Sequence, residues 1–406
     1  LSQNKFTFKL IVKIHKDILC RQAKRVANDS EKVYLMALPC PMFNPNRLKL
    51  GIFSANCSSG MAVTKVEERW QNTWENNLDL VRQCDEAGLE FMLPIARWIG
   101  YGGDTDFHGG VLETVTWATG LTAHTRNIQV FATVHTAFNH PIVTAKQLAT
   151  IDHLGGGRVG LNVVAGWNKP EYDAFGVTLP QEHSERYARA QEWFDYVQKL
   201  WQEDRPFDWH GKYFQGTGVY GNPRPVQARV PILNAAASVE GREFAVRNAD
   251  FLFTPVFDFD QAHATVAEIE GRAAAAGRSM GVFTFCTVVC RPTQREAEDY
   301  LDYYANQNAD WEAVDYLMKL QGMHAQSFTP EALANFRDRF AAGHGGFPLV
   351  GTPDHVAEQL ELLSATGLAG TTLAFVDYAK EFPYFRQEVI PRLEKKGLRQ
   401  PFNLPE

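Results

Sequence analysis

Between Leu48 and the C-terminal region the chain alternates, eight times over, a short β-rich run with a stretch of helical spacing. That rhythm limits the possible folds more than any other feature. The runs are LKLGIF (48–53), LEFML (89–93), IQVFAT (128–133), VGLNVV (159–164), PILNAA (231–236), DFLFTPV (250–256), VFTFCTVV (282–289) and GTTLAF (370–375). Between them, Trp74 to Ala87 carries Leu78, Val81, Cys84 and Ala87 on one helical face and stops at Gly88. Val111 to His124 is the next helical run. Pro141 to Leu154 opens on proline and ends on Gly155-Gly156-Gly157. Glu185 to Trp201 lines up Tyr187, Ala190, Phe194, Val197 and Trp201. A further helix opens near Ser238, another spans Gln261 to Ala276, and Tyr384 to Lys395 closes the chain. Eight strand–helix units predict a (β/α)8 barrel of the α/β class, with insertions at 203–230 and, helical, at 290–348.

An open doubly wound sheet is the rival layout, and periodicity alone does not exclude it. However, no G-x-G-x-x-G follows a strand, no G-x-x-x-x-G-K-[ST] occurs, and Gly100-Tyr101-Gly102-Gly103 lacks the spacing. A nicotinamide cofactor held by a Rossmann unit is therefore not expected. The 406 residues suit one barrel with insertions. A net charge of −7 without a basic stripe argues against nucleic acid or anionic membrane surfaces as partners. No apolar run approaches the ~20 residues of a membrane-spanning helix. The six cysteines (Cys20, Cys40, Cys57, Cys84, Cys286, Cys290) form no C-x-x-C pair, which predicts free thiols in a reducing cytoplasm. Residues 1–47 read as an N-terminal extension to a barrel spanning 48–406. Within it residues 1–35 are basic and lack a small-residue cleavage site, so they do not read as a signal peptide, and Met36 opens a stretch resembling a natural start.

In a parallel barrel, polar groups at the C-terminal ends of the strands face the active site. Those ends carry Leu93 followed by Ala96-Arg97-Trp98, Thr133 then His135, Asn162 then Trp167 and Glu171, and Asn234 to Ser238. Apolar walls with a few placed hydrogen-bonding groups suit a flat heteroaromatic ligand better than a sugar or a metal. Ser238, after three alanines, reads either as an ordinary helix cap or as the edge of an anion site, where free backbone N–H groups face a phosphate. Arg186 and Tyr187 could reach the same phosphate, or be a surface cation and a core phenol. Asn162 is polar where valine or isoleucine would be expected, so it serves either a buried hydrogen bond or a site. Thr133 is also simply a good strand residue. His135, His140, His153, His183 and His344 have no metal-ligand spacing, and no nucleophile elbow is present.

On GYGG (100–103), IQVFAT (128–133), QLATIDHLGGGRVGLNVVAGWNKPEY (147–172), SERY (184–187) and AASVEGREFAVRNADF (236–251), the chain resembles the bacterial-luciferase-like flavin monooxygenases. It is most similar there to the pyrimidine oxygenases, with the dimethylsulfone and alkanesulfonate monooxygenases close behind. LVGTPDHVAEQL (349–360) is shared more widely. The resemblance implies a two-component monooxygenase: reduced FMN supplied by a separate NAD(P)H:flavin reductase, O2, and a flavin peroxide that oxygenates and cleaves a small organic substrate. It implies FMN contacts from Ala96, Arg97, Asn162, Glu171, Arg186, Tyr187 and Ser238. Thr133 and Asn162 would flank the oxygen pocket, both donating to the oxygen, with Leu93 and Trp167 as apolar walls. A cytoplasmic homo-oligomer without a metal is expected. Arg97 stands where the pyrimidine oxygenases would have lysine, and VHTAFN (134–139) replaces a smaller, more apolar stretch, so the substrate stays open. The alternatives are C–S cleavage of a sulfone or alkanesulfonate, and hydride transfer with a deazaflavin.

Overall fold

The computed structural model describes residues 40–322 and 330–404. The strands, in chain order, are β1 (Lys49–Phe53), β2 (Phe91–Leu93), β3 (Gln129–His135), β4 (Val159–Val164), β5 (Phe207–His210), β6 (Gln215–Val219), β7 (Ile232–Ala235), β8 (Phe251–Phe253), β9 (Gly281–Cys290), β10 (Phe347–Gly351) and β11 (Gly370–Ala374). Parallel pairing runs β9-β11-β1-β2-β3-β4-β7-β8, and β8 returns to β9, which closes an eight-stranded barrel. All eight β-rich runs of the sequence are barrel strands.

Alternation along each strand sends odd residues inward and even ones outward, or the reverse. Leu50, Ile52, Val130, Ala132, Leu161 and Val163 join the layer between sheet and helices. Phe91, Phe131, Phe251 and Phe283 meet inside the barrel with Met42 and Leu233. Neighbouring strands make room for these rings. A Cβ on Gly51 would come within 2.7 Å of the Phe91 ring, one on Gly160 within 2.5 Å of Phe131, and one on Gly370 within 2.4 Å of Phe283. Large residues on one strand and none on the next fill the lumen to interior density. The barrel therefore has a solid floor, and only its C-terminal mouth can host chemistry.

Several boundaries differ from the sequence reading. Residues 40–47, assigned there to the extension, pack on the barrel: Met42 is buried in the lumen, and Asn44 and Asn46 donate to the buried Glu90 carboxylate. The extension before Cys40 lies outside the described residues. The second helix starts at Thr114 rather than Val111, because the Glu113 carboxylate accepts from the N–H groups of Val115 and Thr116. The closing helix is two, Tyr378–Glu388 and Ile390–Lys395. It begins six residues earlier than expected on an Asp377 cap, and it breaks where Pro391 has no N–H to continue the ladder. The 203–230 insertion contains an antiparallel hairpin, β5–β6. The 290–348 insertion is helical (Gln294–Asp302, Trp311–Leu320, Pro330–Gly343) but ends in β10, a strand the sequence reading missed. Its core of Ala313, Val314, Leu317 and Phe340 packs on Val63, Tyr101 and Phe107 from the loops after β1 and β2. Among the described residues, no helix is long and apolar enough to cross a membrane.

Candidate active site

Seven of the ten residues singled out from the sequence come together on one side of the mouth, over β2, β3 and β4. Thr133 and Asn162 are direct partners in the β3–β4 register, both inward. The Asn162 amide donates to the Thr133 hydroxyl at 3.1 Å, and that hydroxyl donates to the Pro94 carbonyl at 2.6 Å. The Thr133 proton is thus committed. Here Thr133 accepts from Asn162 and donates to Pro94, whereas the sequence reading has both groups donating to a shared oxygen. The Asn162 Oδ1 is buried and has no partner among the described residues. A carboxamide oxygen left bare in a strand is costly unless a ligand N–H meets it. Leu93 belongs to the aromatic and aliphatic cluster that fills the lumen below. A cavity of about 40 Å3, bounded by Ala96, Arg97, Thr114, Thr133 and His135, adjoins the pair.

Above this pair sits an ion pair. Arg97 Nη1 donates to Glu171 Oε1 at 2.9 Å, and the Trp98 amide donates to the same oxygen at 2.8 Å. Both side chains are almost fully buried, 5% and 2% exposed, so removing one would strand the other's charge in low dielectric. The guanidinium lies 4.9 Å from the Tyr101 ring centre and 5.3 Å from that of Trp167, close enough for cation–π attraction. Arg97 Nε has no acceptor and is buried. Burial works against the guanidinium's charge, but Tyr101 and Glu171 outweigh it, and the proton is held more firmly than usual. His135 packs 4.0 Å from Glu171. Burial, reinforced by Arg97 and opposed by Glu171, pushes its imidazole down to about 4, so it is neutral at pH 7.

The remaining three candidates form a second group. Ser238 caps the helix Val239–Asn248, its Oγ accepting from the Gly241 amide at 3.1 Å. Burial raises the Tyr187 phenol, and Ser238 beside it lowers it in part. A Cβ on Gly241 would lie 2.5 Å from both Ala236 Cβ and the Tyr187 hydroxyl, so this helix start admits only glycine at that position. Arg186 is buried, donates to the Gly166 carbonyl at 3.2 Å, and keeps its Nε without an acceptor. It borders a cavity of about 650 Å3 that runs along Lys169 to Gln181. The two groups are linked through the β4 loop, because Gly166 adjoins Trp167.

Sequence reasoning gave no role to Tyr101 and His108 from the loop after β2, or to His344 from the turn before β10. All three surround Arg97. The visible signal was two histidines each followed by paired glycines, in FHGG (107–110) and GHGG (343–346). Both take left-handed backbone, each with φ of 57°, a conformation uncommon outside glycine and typical of constrained sites.

A closed parallel barrel, with a solid floor and buried unpartnered polar atoms such as Asn162 Oδ1 and Arg97 Nε at its C-terminal mouth, is the architecture of a barrel enzyme. The chain belongs to the luciferase-like monooxygenase family, whose model matches residues 48–370. It is 31% identical over 352 residues to an FMNH2-dependent dimethylsulfone monooxygenase of Pseudomonas putida, covering 85% of this chain and 94% of that one. It is 30% identical over 359 residues to the pyrimidine monooxygenase RutA of Allorhizobium ampelinum, covering 86% and 97%. The fold matches the crystal structure of DmoA from Hyphomicrobium sulfonivorans with a TM-score of 0.78 at 23% identity, over 88% and 91% of the chains.

Proposed function

We propose that this protein is a two-component monooxygenase that takes reduced FMN from a separate flavin reductase and uses O2 to oxygenate a small organic substrate. The observation that carries the reading is the bare Asn162 Oδ1 at the centre of the mouth, held in place by Thr133. The donor set fits reduced FMN. Asn162 Oδ1 would accept from an N–H of the ring system, Leu93 and Ala96 would supply flat apolar contact, and the Arg97–Glu171 pair would fix the edge of the site. Arg186, Tyr187, Ser238 and the bare start of the helix Val239–Asn248 would hold the phosphate. Trp167 would close the apolar side. When bound, reduced FMN supplies the electrons that activate O2.

This chain's own groups then do three things. Thr133, anchored on Pro94, fixes the rotamer of Asn162. The second amide N–H of Asn162 is free to face negative charge developing on oxygen, and donors aimed in this way are worth about 10²–10³ in rate. His135, neutral beside Glu171, adds no competing positive charge. The small cavity at Thr133 is about the volume of one small molecule. Oxygenation of a pyrimidine ring and cleavage of a sulfone both suit such a site, by analogy with the two relatives named above.

Anaerobic titration with reduced FMN, followed by rapid mixing with air-saturated buffer and uracil or dimethylsulfone, tests the reading. Wild-type protein should bind reduced FMN more tightly than oxidised FMN. Asn162→Ala should keep most of that affinity and lose about 10²–10³ in product formation. A folded, FMN-saturated Asn162→Ala protein reacting at the wild-type rate would overturn the oxygen-site role.

A further inference from the structure

The loop after β2 presents a hydrogen-bond acceptor that nothing among the described residues satisfies. His108 is 1% exposed, and its Nε2 sits 2.6 Å from the Gly60 carbonyl oxygen. A carbonyl only accepts, so Nε2 carries the proton and Nδ1 is left as a bare lone pair. That Nδ1 is buried and has no partner. Burial, with His344 and Arg97 nearby, pushes the imidazole well below its usual range, so Nδ1 does not escape the conflict by taking a proton. Two further orphans share the cluster. The Tyr101 hydroxyl is buried and unpartnered, with its ring centre 5.8 Å from that of His108. The Arg97 guanidinium packs over the Tyr101 ring, and its Nε is a donor without an acceptor among the described residues. His344, 6.1 Å from both His108 and Tyr101, covers the group from the insertion.

An acceptor with donors on neighbouring side chains is matched by a molecule carrying an N–H or O–H next to a carbonyl. A sulfone carries acceptors only and would leave His108 Nδ1 desolvated and unmet. We infer that His108, with its tautomer locked by Gly60, is a specificity-determining residue that admits substrates with an N–H or O–H donor and disfavours donor-free ones. The inference rests on the flavin-monooxygenase reading and narrows its substrate class to amides, imides, ureides or their hydroxyl counterparts. A site built to pair a polar group rejects the analogue lacking it far more strongly than an apolar pocket rejects a misfit.

Calorimetric titration of the reduced-FMN complex under anaerobic conditions reads the discrimination without turnover. The probes are 2-pyrrolidone against γ-butyrolactone, which exchanges N–H for O at constant size, and uracil against 1,3-dimethyluracil, with dimethylsulfone as the donor-free extreme. The N–H member of each pair should bind at least about tenfold more tightly. His108→Gly, which suits the left-handed backbone, should bring the two members together. His108→Asn, which tolerates that backbone and still offers an acceptor, should keep the preference. Equal binding within both pairs, no binding by any N–H probe, or tightest binding of dimethylsulfone overturns the inference. So does unchanged discrimination in His108→Gly, which would mean that Nδ1 and the Tyr101 hydroxyl satisfy one another. Failure of reduced FMN to bind in the first stage is a separate result, and it overturns the monooxygenase reading itself.

Discussion

The mouth of the barrel has two unlike walls. Over β2 to β4 stand Arg97, Thr133, His135, Asn162 and Glu171, a buried ion pair and hydrogen-bonding groups of which several lack partners. Over β1, β8 and β9 stand Phe53, Phe253 and Phe285, whose rings contact one another at centroid distances of 5.0, 5.7 and 5.8 Å. The aromatic wall is complete without a ligand, because its edge-to-face and stacked contacts satisfy it. The polar wall is incomplete, because it carries the desolvation cost of groups that have no partner among the described residues. Shape comes from one side and polarity from the other.

The division can be broken in three ways, beginning with the largest effect. Glu171→Ala should destabilise by about 3–5 kcal/mol, because it leaves the Arg97 guanidinium charged and unpaired in the interior. Urea denaturation measures this, and Glu171→Gln, which keeps an acceptor, should cost less. A loss under about 1 kcal/mol for Glu171→Ala would show that water or relaxation reaches the pair. Next comes acid sensitivity. His135 titrates near 6.5 unfolded but is pushed down to about 4 when folded, so between those values the unfolded chain binds more protons. Its contribution to stability is therefore lost as pH falls from about 6.5 toward 4, roughly 3 kcal/mol across that window. Denaturation midpoints measured across the window should slope less in His135→Gln than in wild type, and parallel slopes would remove His135 as the cause. The smallest effect belongs to the aromatic wall. Phe253→Leu keeps an apolar side chain and should cost less than about 1.5 kcal/mol. Reoxidation of bound reduced FMN by O2 should proceed in that variant at close to the wild-type rate. A loss in that rate rivalling Asn162→Ala would mean the two walls do not divide the work.

The fold was legible because barrel strands announce themselves by local composition, and all eight did. What escaped was set by neighbours distant in sequence. FPLVG (347–351) reads as a strand only once β9 offers it an edge, and the loop before β10 buried a histidine whose relevance depends on Arg97, some 250 positions earlier. The candidate site was legible in its residues and less so in their wiring. Arg97 and Glu171 were each singled out as ligand contacts, yet no spacing could say that they bind one another. The Thr133 proton, similarly, is directed by a Pro94 carbonyl that no side-chain pattern reports. The helix start at Thr114 was missed because a glutamate, not one of the usual small polar residues, makes the cap.

One strand belongs to two structures at once. The lower part of β9, Gly281 to Phe283, pairs with β8, and the upper part, Cys286 to Cys290, pairs with β10 along the same edge, while β11 occupies the other side. The insertion is therefore fastened at both ends to a strand whose lower half is already held by the barrel. The segment from Arg291 to Gly346 thus leaves and rejoins the barrel along one edge of a single strand, so its two anchors share the register of β9.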